Sequence, residues 1–175
     1  PADLKCLLAA AIRDPDPVIF FEQKSLYATK GEVPDGELVD ELGKAKVLRK
    51  GDDVTIVALA AMVPRAMAAA DRLQQEDGVS ATVVDVRSLV PLDTQTIFKE
   101  VEHTGRLVTV EENPRLCGWG AEISSIVAEE MFYDLDGPII RITSPHCPIP
   151  SADDLEDKYL PTPERIVETI RREVD

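Results

Sequence analysis

Apolar residues recur at helical spacing from the start of the chain: Leu4, Leu7, Leu8, Ala11 and Ile12 share a face, Asp3 is placed to cap it, and Asp14-Pro15 closes the pattern. The uninterrupted apolar run Val18 to Phe21 then predicts a short buried strand. From Glu22 to Leu42 the chain is polar, carries Gly31, Pro34 and Gly36 and keeps no period, so it reads as a linker between two domains. Beyond it, Ala45 to Leu48 and Asp53 to Leu59 flank the turn residues Lys50-Gly51-Asp52. That spacing predicts a hairpin whose first member lies antiparallel at one side, and whose second, almost wholly apolar, is central.

The period then alternates. Ala66, Ala69, Ala70 and Leu73 mark one face of a helix over 64–77, with Gly78 at its C-terminal cap, and 81–86 is the next strand. Pro91-Leu92-Asp93 opens a helix bearing Ile97, Phe98 and Val101; Gly105 ends it, and 106–110 is a strand. Ile123, Ile126, Val127 and Met131 line a further helix, Gly137-Pro138 breaks it, and 139–142 is the last strand. After a long proline-punctuated loop, Thr162-Pro163-Glu164 starts a final helix with the stripe Ile166, Val167, Ile170 and Val174. The expected class is therefore α/β. A three-layer, mostly parallel sheet (53–59, 81–86, 106–110, 139–142) carries one antiparallel strand and is preceded by a fragment of a second α/β unit.

Composition narrows this. Length fits one domain with part of another, and hydrophobic residues make up 44% of the chain without any run near the ~20 that a membrane-spanning helix needs. Pro1 stands where an initiator Met is expected and leads straight into a helix, which predicts a piece of a longer polypeptide. Cys6, Cys117 and Cys147 are odd in number and widely spaced, which points to free thiols in a reducing cytoplasm or organelle matrix. A net charge of −14 disfavours nucleic acid and favours a basic partner. The excess is C-terminal, since residues 111–175 hold 15 acidic and 6 basic groups while 43–110 are balanced at 9 and 9.

In sheets of this class chemistry gathers at the carboxyl ends of strands, here Ala60-Ala61, Asp85 to Ser88, Glu111 to Gly120 and Ser144 to Pro150. Gly118-Trp119-Gly120-Ala121 looks like half of a dinucleotide turn, but Ile123 occupies the third glycine position and Glu111 and Glu112 would repel phosphate. Close helix-to-strand packing is the plainer reading. Glu111 and Glu112 point to opposite faces of a strand, so one is expected to be solvated or ion-paired rather than both serving as an acid–base couple. His103 at a helix C-terminus suits the dipole, and His146-Cys147 lacks the further partners that a metal or nucleophile needs. Asp85-Val86-Arg87 with Pro91-Leu92-Asp93 reads as an ion pair anchoring a loop, with an anion site as the alternative.

Together, Phe20-Phe21-Glu22, Leu26-Tyr27, Gly43-Lys44-Ala45, Asp53 to Val57, Asp85 to Asp93, Thr104-Gly105-Arg106 and Gly118 to Ile123 resemble the beta subunits of the pyruvate, branched-chain 2-oxo acid and acetoin dehydrogenases. The resemblance implies that residues 1–35 are the tail of a pyrimidine-binding domain, 36–42 a linker and 43–175 a transketolase-type C-terminal domain. It implies thiamine diphosphate and magnesium in the complete enzyme, with neither expected in this chain alone. The activating Glu and active-site His of such subunits lie upstream of Pro1, so no catalytic, cofactor-binding or metal residue is carried onto this sequence. The implied partners are an alpha subunit, a second beta subunit and the basic peripheral-subunit-binding domain of a lipoyl acyltransferase. Glu129, Glu130, Asp134, Asp136 and Asp175 are candidates to meet that last partner. The implied compartment is the cytoplasm, or the mitochondrial matrix in a eukaryote. The loop His146 to Pro150 resembles acetoin-type and branched-chain-type subunits, and substrate stays open. Two other classes compete: a non-catalytic interaction domain for a basic partner, and a flavodoxin-like nucleotide module, which the missing phosphate loop disfavours.

Overall fold

Residues 1–174 are described by a computed structural model, with side chains through Arg172. The described elements run α1 (Ala2–Arg13), β1 (Lys46–Arg49), β2 (Val54–Ala58), α2 (Met62–Glu76), β3 (Ala81–Asp85), α3 (Thr94–Thr104), β4 (Leu107–Pro114), α4 (Trp119–Glu130), β5 (Ile140–Ser144), α5 (Asp153–Tyr159) and α6 (Pro163–Val174). Single 3-10 turns lie at Lys24–Leu26 and Phe132–Asp134.

The five strands form one sheet in the order β1-β3-β2-β4-β5. β2 pairs parallel with β3 and β4, and β4 parallel with β5. All five residues of β2 are buried, as its apolar run requires of a central strand. Chain progression passes from β2 out to β3, then crosses back to β4 and on to β5. Crossovers of constant hand then place α2 on one face and α3 and α4 on the other. The buried clusters follow that division. Ala66, Ala69, Ala70 and Leu73 of α2 meet Ile166, Val167 and Ile170 of α6 against Ile56, Val83 and Val108, while Ile97, Val101, Ile123 and Val127 pack on Val57, Val84 and Leu107.

Local chemistry sets the helix ends. The Asp93 carboxylate accepts from the Thr96 amide at 3.1 Å and opens α3, and Gly105 closes it at φ 65°, a left-handed position that glycine adopts without a Cβ penalty. The Thr162 hydroxyl accepts from the Arg165 amide at 3.2 Å at the start of α6. The C-terminal stripe holds at Ile166, Val167 and Ile170; the side chain of Val174 lies outside the described residues.

Several expectations are corrected. β1 is antiparallel, but it pairs with β3 rather than with β2, so the turn at 50–52 does not close a hairpin. Gly51 instead packs under Ser80-Ala81, where a Cβ would come within 2.5 Å of backbone carbons, and its amide donates to the Thr82 hydroxyl at 2.9 Å. Val18 to Phe21 forms no strand: Ile19 and Phe21 are 78% and 90% exposed, because no neighbouring strand offers its backbone partners. α1 forms, with Pro1 rather than Asp3 at its cap, but none of its residues is buried. The loop after β5 contains α5, whose Tyr159 is buried and donates its hydroxyl to the carbonyls of Pro145 and Cys147 at 2.9 and 3.1 Å. β4 runs to Pro114, four residues beyond the expected 106–110, so only three residues separate it from Gly118.

Candidate functional site

Ala60, Arg87 and Cys117 follow the carboxyl ends of the parallel strands β2, β3 and β4, where the order of strand addition reverses, and each holds a positive φ, at 51°, 59° and 57°. Such φ values are uncommon for side chains with a Cβ and concentrate where loops are fixed by their surroundings. Two polar clusters do the fixing.

The first is centred on Glu111. Odd residues of β4 face α3 and α4, so Leu107, Thr109 and Glu111 share that side, and Glu111 is fully buried there. Its carboxylate accepts from Arg141 Nε and Nη2 at 2.9 and 3.0 Å, from the Gly120 amide at 2.9 Å, from Asn113 at 3.1 Å and from the Thr109 hydroxyl at 3.2 Å. The carboxylate thus sits at the N-terminus of α4, where the backbone amides and the dipole favour an anion. A Cβ on Gly118 or Gly120 would meet it at 2.3 Å, which explains why both positions are glycine. The dinucleotide-like turn is therefore filled by an internal carboxylate. It does not fit a diphosphate, and the packing reading holds. Glu111 is the ion-paired member of the Glu111-Glu112 pair; Glu112 is only half-buried on the opposite face.

The second is centred on Arg87, whose side chain is 6% exposed and pairs with Asp40 and, at 3.8 Å, with Asp3. Its amide donates to Asp85 Oδ1 at 3.1 Å. Burial pushes the Asp85 carboxyl up to about 6, against the Arg87 amide, with the Asp3 carboxylate adding to the shift. Asp93 is turned to α3 and to the Ala45 amide at 3.0 Å; burial opposes its charge, but the bonds from Thr96 and Ala45 outweigh that and hold the carboxyl below its ordinary range. The loop is anchored by an ion pair of Arg87, but its partners are Asp40 and Asp3 rather than the expected Asp85 or Asp93. Its carboxylate partners, Asp3 and Asp40, carried no sequence signal.

The remaining candidates separate. His103 Nε2 lies 2.7 Å from Asp52 Oδ1 at the exposed end of α3. His146 and Cys147 are exposed, and among the described residues no group of three His, Cys, Asp or Glu side chains is placed to hold a metal. Glu129 and Glu130 end α4, and Asp134 and Asp136 follow within six residues. All four are exposed, and no ion pair engages them among the described residues. Phe132 and Tyr133 stand among them, 66% and 97% exposed, with rings edge to face at 5.4 Å. Asp175 lies outside the described residues.

Residues 43–166 match the model of the transketolase C-terminal domain. The chain belongs to that family. It is 50% identical over 168 residues to the beta subunit of acetoin:2,6-dichlorophenolindophenol oxidoreductase of Bacillus subtilis, covering 95% of this chain and 48% of that protein. The pyruvate dehydrogenase E1 component beta subunit of Leifsonia xyli is 42% identical, covering 98% and 50%, and the 2-oxoisovalerate dehydrogenase beta subunit of B. subtilis is 40% identical, covering 98% and 53%. The chain spans about half the length of these relatives, matching their C-terminal half. Among solved structures, a split-gene transketolase described as an inactive beta4 tetramer is 31% identical with a TM-score of 0.68, over 82% of this chain and 45% of that one. The mostly parallel sheet with one antiparallel strand is this family's fold. No described helix is long and apolar enough to cross a membrane.

Proposed function

We propose that this chain is the C-terminal part of the beta subunit of a thiamine-diphosphate-dependent 2-oxo acid or acetoin dehydrogenase, serving subunit assembly and docking to the lipoyl acyltransferase. The observation that carries the reading is 50% identity along 95% of the chain with an acetoin oxidoreductase beta subunit. On this reading residues 1–35 belong to a pyrimidine-binding domain, 36–42 are the linker and 43–175 the C-terminal domain. The exposed Leu4, Leu8, Ile12, Ile19 and Phe21 support it, because they form the kind of apolar surface that a missing domain or subunit covers. Thiamine diphosphate and magnesium are held by the complete enzyme, in the cytoplasm or the mitochondrial matrix; in the glycine turn of this chain the Glu111 carboxylate already takes the Gly120 amide. The alpha subunit and a second beta subunit are the assembly partners. The inactive tetramer of beta chains among the solved relatives supports a chain that assembles without catalysing.

The test is reconstitution with an alpha subunit and the N-terminal half of a beta subunit. Decarboxylation of pyruvate or branched-chain 2-oxo acids, or carbon–carbon cleavage of acetoin, should arise only in the reassembled enzyme. The isolated chain should give no saturable calorimetric signal with thiamine diphosphate and magnesium. Micromolar binding by the chain alone overturns the assignment of the cofactor site, and failure to assemble with any alpha subunit overturns the reading as a whole.

A further inference from the structure

Residues 1–42 have little apolar hold on the sheet, since no residue of α1 is buried and the linker is mostly exposed. Several polar bonds of this segment are internal: Lys5 Nζ to the Pro34 carbonyl at 2.9 Å, Arg13 to Glu37, and the Asp40 amide to the Cys6 carbonyl at 3.5 Å. Among the described residues, apart from the local Glu41–Lys44 pair at 3.9 Å, the side-chain ion pairs that reach the sheet domain converge on one point, the carboxyl end of β3. Asp3 of α1 receives Lys46 of β1 at 3.1 Å and lies 3.8 Å from Arg87, and Asp40 of the linker pairs with Arg87. We propose that Arg87, Lys46, Asp3 and Asp40 form an ionic clasp fastening α1 and its linker to the sheet, and that the charge on Asp85 sets how tightly it holds.

A cation as buried as Arg87 needs counter-charge, and both of its carboxylate partners outside its own loop come from the segment. Arg87 also has a buried Nε without a partner, so it is under-satisfied even with the clasp closed. Asp85 is the register partner of Lys46 across the β1–β3 pair, yet Lys46 reaches Asp3. The groups facing Asp85 are thus Asp3 from α1, Lys46 from β1 and Arg87 from its own loop, with Asp40 behind Arg87. An ionised Asp85 repels Asp3 and draws both cations toward itself. A neutral Asp85 leaves them to Asp3 and Asp40. The clasp therefore tightens as pH falls through about 6. It loosens again in stronger acid, when Asp40, held low chiefly by its hydrogen bond from Arg87, takes up a proton. This device is independent of any role in docking or catalysis.

Hydrogen–deuterium exchange of the α1 amides, corrected for intrinsic rates, reads the clasp directly. Protection of residues 2–13 should be about threefold higher at pH 5.5 than at pH 8, because a coupling of about one pKa unit is only partly realised half a unit below about 6. Asp85→Asn should keep α1 protected at both pH values, and Arg87→Gln should expose it at both while β2 and β3 stay protected. Should Arg87→Gln unfold the sheet as well, Asp40→Asn carries the test, because its side chain lies at the surface. Unchanged α1 protection in Asp40→Asn, or a pH step that survives in Asp85→Asn, overturns the proposal.

Discussion

Glu111 and Arg141 show how one residue pair fixes a loop. Arg141 is the cationic partner of a fully buried carboxylate and donates its Nη2 to the Arg115 carbonyl at 3.0 Å, so it holds the 115–117 turn as well as the charge. Arg141→Met should destabilise the chain by ~3–5 kcal/mol, the range for a buried ion left without its partner. A urea double-mutant cycle with Glu111→Gln checks this, since the second change should recover part of the loss. Asp85 makes a different statement, because its carboxyl is pushed up to about 6 from an ordinary 3.8. Between those values the folded chain keeps a proton that the unfolded chain has lost. Its contribution is therefore fully present below about 4 and disappears as pH rises through about 6, with an upper limit of ~3 kcal/mol. Chemical denaturation across pH 4–8 should show that decline, and Asp85→Asn should remove it.

At the level of elements, α3 is fixed at both of its ends. Asp93 caps its first turn through the Thr96 amide and hydroxyl and also accepts from the Ala45 amide, tying the entrance of β1 to the start of α3. Asp93→Ala should lower stability by ~1–2 kcal/mol, at the upper part of the range for N-cap losses because a second amide is orphaned. Asp93→Asn keeps the acceptor oxygen and should recover most of it; thermal unfolding distinguishes the two. The start of α3 was legible in the sequence because Pro91-Leu92-Asp93 followed by Ile97, Phe98 and Val101 is a local pattern, while the capping role of Asp93 came from the structure. The pairing of β1 was not legible, because the hairpin spacing 45–48 and 53–59 is equally compatible with a strand that passes over β2 to reach β3.

For the whole molecule, two surfaces ask for partners. Ile12, Ile19 and Phe21 of the N-terminal segment are exposed apolar side chains, and sedimentation should show self-association that Ile19→Lys with Phe21→Lys reduces. A strict monomer at high concentration would rule this out. At the end of α4, Glu129, Glu130, Asp134 and Asp136 are exposed around Phe132 and Tyr133. On the proposed docking role, Asp134→Lys with Asp136→Lys should slow association with the basic acyltransferase domain. Raised salt should mimic the change, since screening acts over roughly 10 Å at 0.1 M. Stopped-flow rates indifferent to both would remove these residues from the interface.

Helices α2, α3, α4 and α6, the central placement of β2 and the parallel class were all written in periodicities of a few residues, because burial of one face selects spacing directly. The acid pair Glu111-Glu112 was legible to the extent that alternation sends adjacent strand residues to opposite faces. Tertiary structure alone decided that Glu111 is the buried member, since its partners Arg141, Gly120 and Asn113 come from three places in the chain. It likewise joined Asp3 and Asp40 to Arg87, 84 and 47 residues away in sequence, where no local pattern links them. The run Val18 to Phe21 marks the opposite limit. Its apolar character is a property of the sequence, but a strand exists only when a neighbour supplies the other half of its hydrogen bonds, and the described residues supply none.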